Sequence, residues 1–69
     1  MSLQFKRCIK RDEGTNATYV EVTENNVQQI RTLWKKPEAE IGQMLVRFGV
    51  GNSKLIDSER FERYYRLPR

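Results

Sequence analysis

Histidine is absent from this chain, and cysteine occurs once, as Cys8. The first absence removes the commonest metal ligand and the commonest general base at neutral pH. The second rules out an intramolecular disulfide. A zinc site is thereby excluded, and Cys8, with no histidine to activate it, reads as a small packed residue of a strand rather than a nucleophile. Long apolar runs are lacking too, since nothing approaches the roughly 20 residues of a membrane span. Lys6, Arg7, Lys10 and Arg11 break up the N-terminal region, which therefore does not read as a secretion signal, and a cytoplasmic protein is expected. Without such a signal the Asn16-Ala17-Thr18 glycosylation pattern carries no weight. Internal repeats and low-complexity stretches are missing as well.

What is present suits one small folded unit spanning residues 1–69, with 38% hydrophobic and 32% charged residues. A chain this short buries only about 60% of the surface its unfolded form exposes, so its stability margin is thin and self-association would help it. The net charge of +4 and pI near 9.6 permit an acidic partner such as nucleic acid. The thirteen basic residues are, however, interspersed with nine acidic ones, the pattern of a solvated mixed surface. The first residues, Met1, Ser2 and Leu3, carry little weight.

Alternation of Leu3, Phe5 and Ile9 with Gln4, Lys6 and Lys10 predicts a first strand with one wet face, Arg7 being the exception on its apolar side. Asp12 to Asn16 supply a hairpin turn, with Gly14 suited to a positive φ, and Ala17 to Val22 form the second strand. Val27, Ile30, Leu33 and Trp34 then recur on one helical face. Thr23 and Asn25 both suit the N-cap, and Gln28 three positions after Asn25 favours the latter. Lys35-Lys36-Pro37 stops the helix, and Glu38 to Glu40 read as loop. A third strand is expected from Gly42 to Phe48, a reversal over Gly49 to Ser53, and a short fourth strand over Lys54 to Ile56. Asp57 caps a last helix with Glu59 in its first turn and Phe61, Tyr64 and Tyr65 on one face.

Three motifs in series, Thr23-Glu24-Asn25-Asn26-Val27-Gln28-Gln29-Ile30, Gly42-Gln43-Met44-Leu45-Val46-Arg47 and Phe61-Glu62-Arg63-Tyr64-Tyr65, resemble those of a family of small tailed-phage and prophage proteins. That family reads Thr-Gly-Asp-Asn-x-Glu-Glu-Ile, Gly-Asp-Tyr-Ile-Val and a closing Phe-Glu-Lys-Thr-Tyr. The likeness covers most of the chain after Gln4. Here Gln43 stands where the family has aspartate, Glu24 replaces the turn glycine, and the N-terminal Lys-Lys-Pro is missing. The resemblance implies a phage or prophage origin and an α+β fold; it carries no activity. Gly51 to Phe61 is also similar to the wing and final helix of excisionase-type winged-helix proteins, but those need a helix-turn-helix just upstream, where this chain reads as strand.

No pairing of nucleophile and base, and no two carboxylates set across a cleft, emerges from the sequence, so no catalytic, cofactor or metal residue is assigned and the chain is read as a non-enzyme. Gly49 to Ser53 lacks the Gly-Lys-Ser/Thr ending of a phosphate loop and reads as a plain hairpin turn. The expected architecture is α+β, a small antiparallel sheet in the order ββαββα with one main helix, Asn26 to Trp34, on a sheet face. Its expected core is Phe5, Ile9, Val20, Val22, Val27, Ile30, Leu33, Trp34, Met44, Val46, Phe48, Ile56, Phe61 and Tyr65. The expected function is a phage-type accessory module that binds another macromolecule, a protein or a second copy of itself. The alternative is nucleic-acid binding by the basic and aromatic C-terminal helix, through Arg60, Arg63, Tyr64 and Arg66, with Arg69 beyond them and Lys35 and Lys36 joining if the fold allows.

Overall fold

The computed structural model describes residues 3–49 and 51–68. The sequence readings that involve Met1, Ser2, Val50 and Arg69 lie outside the described residues. The fold is α+β: β1 (Lys6–Lys10), β2 (Asn16–Glu21), α1 (Val27–Leu33), β3 (Gln43–Phe48), β4 (Asn52–Asp57), α2 (Ser58–Tyr64) and β5 (Tyr65–Arg66). All five strands form one antiparallel sheet in the order β4-β3-β2-β1-β5. The expected ββαββα order therefore gains a short fifth strand, which returns to pair with the first. No helix among the described residues is long and apolar enough to cross a membrane.

Strand parity sorts the side chains onto two faces, and both are covered. On one face Val22 and Leu45 pack under α1 with Val27, Ile30 and Ala39, flanked by Leu3, Phe5, Val20, Trp34 and Leu55. On the other, Cys8, Ala17 and Val46 pack under α2 with Phe61 and Tyr65, flanked by Tyr19, Met44, Phe48 and Ile56. The wet face expected for the first strand is thus partly dry: Cys8 is buried there, because α2 lies over it. Leu45 and Val46, adjacent in β3 and on opposite faces, are both completely buried.

Helix α1 starts one residue later than the capping pattern indicates. Asn26, not Asn25, is the N-cap residue, and its side chain works backward rather than forward. Its Oδ1 accepts from the Thr23 N–H at 2.8 Å and its Nδ2 donates to the Glu21 carbonyl at 2.9 Å, tying the helix start to the end of β2. The expected core position Leu33 is overturned: it is 70% exposed, whereas Ile30 is fully buried. With only seven residues, α1 turns just the Val27 and Ile30 edge of its apolar stripe onto the sheet. Trp34 at the C-cap reaches back onto Phe5, ring centroids 5.3 Å apart. Lys35 follows at φ 55°, a left-handed position that normally favours glycine. Arg31 Nε then fastens the returning loop by donating to the Ala39 carbonyl at 2.9 Å.

Helix α2 begins directly after β4, with Asp57 at the N-cap position in extended geometry but making no side-chain capping bond. It ends directly in β5. Asp57 lies opposite Gln43 at one end of the sheet and Tyr65 opposite Lys10 at the other, so on a flat sheet they would be near diagonal corners. Four strand spacings alone would separate them by about 19 Å. A largely helical path of this length covers about 12 Å. The sheet must therefore twist and coil around α2, and Phe61 sits within the coil with its ring 4.6 Å from Tyr19 and 5.3 Å from Tyr65.

Two stability measurements follow from the first helix. Ile30→Ala should cost about 2–5 kcal/mol in denaturant melts, while Leu33→Ala should stay within about 0.5 kcal/mol of the parent. Lys35→Gly should raise stability by about 0.5–1 kcal/mol by relieving the left-handed backbone, and a loss would show that the Lys35 side chain is needed.

Candidate binding surfaces

The outer edge of β1 is only half covered. Lys10 N–H donates to the Thr15 carbonyl at 2.9 Å, so even-numbered residues of β1 bond toward β2 and odd-numbered ones face the other way. Arg11 N–H accordingly reaches the Tyr64 carbonyl at 2.8 Å, and Arg11 Nε reaches the Tyr65 carbonyl at 3.1 Å. Ile9 pairs with Arg66. The next partner in this register, opposite Arg7, would be Pro68, which has no N–H to give. The ladder stops there. Among the described residues no strand pairs with Phe5 or Arg7 on this side.

Beside that open edge lies a groove of about 1090 Å³. It is lined by Tyr19 and Met44 from the sheet, Phe61 and Tyr65 from the α2 end, Leu3 and Gln4 from the N-terminal leg and Asn26 and Gln29 from the start of α1, with Leu67 beside them, 54% exposed. Lys6, Arg11 and Arg66 face Glu21 and Glu62 around it, so the rim carries both signs. The combination of aromatic floor, mixed charge and unpaired backbone suits an extended chain segment.

The opposite face holds a second feature. Register places Arg7, Thr18, Arg47 and Ser53 in one row across four strands, one step beyond the apolar row under α1. Arg7, Asn16, Ala17, Thr18, Arg47 and Gly49 line a shallow cleft of about 310 Å³ there, with no carboxylate among them. The Arg47 guanidinium lies 5.7 Å from the centre of the Trp34 ring.

The residues expected to contact nucleic acid are divided between these surfaces. Arg60, Arg63 and Tyr64 are exposed on α2, on the Phe61 side of the sheet. Lys35 and Lys36 follow α1 on the other side, where Lys36 Nζ donates to the Ser53 carbonyl at 3.1 Å. Arg66 pairs with Ile9 in β5 and lines the groove. The fold thus brings Lys36 to the Ser53 end of the row that holds Arg7 and Arg47, leaves Arg66 on the rim of the groove, and keeps the α2 residues apart from that row. Arg7 and Arg47 do not figure in the sequence-based set. The available signal was Arg7 itself, a cation interrupting an otherwise apolar alternation.

Burial pushes the Cys8 thiol above its ordinary value of 9.0 and keeps it protonated, which fits a packing role. Burial likewise raises Tyr65 above 10.0, with Lys10 opposing. Lys10 and Glu13 form an exposed pair at 3.2 Å that raises the amine and lowers the carboxyl. Among the described residues no group of three His, Cys, Asp or Glu side chains could hold a metal ion. Beyond the hairpin geometry of Gly49, at φ 63°, and Gly51, at φ 84°, the glycine-containing turn has β3 and β4 as its antiparallel arms. The segment upstream of Gly51 is strand, not the helix-turn-helix an excisionase-type wing would require.

No protein-family model matches the chain, and neither does any curated protein or solved structure.

Cys8 and Tyr65 both prefer their neutral forms in the folded chain. Their contribution to stability is therefore complete below the unfolded pKa values and is lost as pH climbs through the higher folded ones. Denaturant midpoints should hold steady from neutrality to about pH 8 and fall beyond about pH 9, and Cys8→Ala should remove the earlier part of that fall. A midpoint that stays flat to about pH 11 would contradict the burial of both groups.

Proposed function

We propose that this chain is a non-enzymatic binding module that accepts an extended segment of a partner protein along the open edge of β1. The guest's backbone would pair with the outward N–H and carbonyl groups of Phe5 and Arg7, and alternate side chains would enter the groove over Tyr19, Met44 and Tyr65. The observation that carries this reading is the juxtaposition of a large groove with an edge that Pro68 leaves unpaired. Unpaired edges are ordinarily blunted in soluble proteins, because they recruit other strands. Here the edge adjoins an aromatic groove. A phage-type accessory protein is the setting we favour, and that part rests on the motif likeness alone.

Screening the protein against an array of random linear peptides tests the proposal. Peptides that bind should slow amide exchange at Phe5 and Arg7 and shift the signals of Tyr19, Met44 and Leu67. Leu67→Asp, at an exposed rim position, should weaken them about tenfold without moving the melting temperature. Peptides that bind at the exposed Leu33 end of α1, or that leave the β1 edge exchanging as before, would sink the reading.

A further inference from the structure

We propose that the opposite face of the sheet is a phosphate-reading row for single-stranded nucleic acid, built by Arg7 and Arg47 on either side of Thr18 and extended by Lys36. This goes beyond the peptide groove and does not depend on it.

Register fixes the geometry. Arg7 pairs with Thr18 and Thr18 with Arg47, so the two arginines stand two strands apart on the same face, their Cα atoms separated by about 9.6 Å. Lys36 Nζ, at the Ser53 carbonyl, adds a cation one strand further along the same row. Like charges gathered on one sheet face repel unless something neutralises them. No ion pair among the described residues does: the cleft lining has no carboxylate, and the pair Lys10 with Glu13 is elsewhere. Neither guanidinium donates a hydrogen bond to another described residue, so their forks are available. Guanidinium forks match phosphate oxygens in pairs, and the Thr18 hydroxyl between them adds a donor.

A line of cations spanning several strands fits a chain of phosphates better than a lone anion. The aromatic contact argues for unpaired bases. The Arg47 guanidinium already lies over the Trp34 ring, its carbon 5.7 Å from the centroid, and this arginine and indole together offer planar groups on which a splayed base stacks. Trp34 is itself held by Phe5, so the platform is braced from beneath.

Anisotropy titration of a fluorescent oligo-dT of about 12 nucleotides, at low salt, is the test. Binding should weaken linearly with log salt at a slope of about −2, as expected for three phosphate contacts to a single strand, and should quench Trp34 fluorescence. R7Q with R47Q should flatten the slope by about 1.4 and cut affinity more than about tenfold, with melting temperature reporting that the fold persists. R47K should keep the salt slope but lose the quenching. R60Q with R63Q should leave both unchanged, as should Leu67→Asp, which separates this face from α2 and from the peptide groove. The proposal is overturned if the α2 pair, rather than the row, carries the affinity. It also falls if duplex binds as tightly as single strand, if inorganic phosphate at the same concentration displaces the strand, or if no binding occurs at low salt.

Discussion

A helix of seven residues has to carry the chain from one edge strand of the sheet to the other, and much of the architecture follows from that shortness. Because α2 runs without spare residues from Asp57 into Tyr65, a flat sheet would leave its ends out of reach. Coiling resolves this, and it also makes the enclosed side small enough for Phe61, Tyr65 and Tyr19 to fill. The same requirement gives Cys8 and Ala17 their roles: beneath a closely placed aromatic pair, small side chains fit where larger ones would push the helix away.

Coverage on both sides is an unusual solution for a chain of 69 residues, which has little apolar material to divide. The division works because β3 is shared, Leu45 serving one layer and Val46 the other. It also keeps the two candidate surfaces apart. The groove lies where α2 and β5 leave the start of β1 uncovered, whereas the basic row lies where α1, also short, leaves the far end of its own face bare. Each surface is a by-product of an element that stops early. α1 is ended by the chain reversal at Lys35 and Pro37, and β5 by Pro68.

Much of the local structure was legible. The strand and helix periods placed β2, α1 and β3 to within a residue or two, because each segment pairs a clean apolar repeat with a recognisable boundary. Asn26 was missed as the cap because two adjacent asparagines offer the same chemistry, and only the position of the Glu21 carbonyl chooses between them. Leu33 was misplaced for a related reason. Periodicity reports which residues share a stripe, not how much of the stripe a short helix can press against its neighbour. Of the expected nucleic-acid residues, proximity in sequence grouped Arg60, Arg63 and Arg66, although the first two lie on α2 outside the groove lining and the last in β5 within it.

The amino-acid order by itself determined the small α+β character of the protein, the lack of histidine chemistry, and the apolar repeats from which its elements form. Those are local properties, set by backbone preference and by spacing along one chain. Only the tertiary structure decided that a fifth strand returns to the first, how much of each sheet face is covered, and that Arg7, Thr18 and Arg47 share a row. Each of these depends on strand register and sheet closure, which are settled by pairing between distant segments and leave no periodic mark on the sequence.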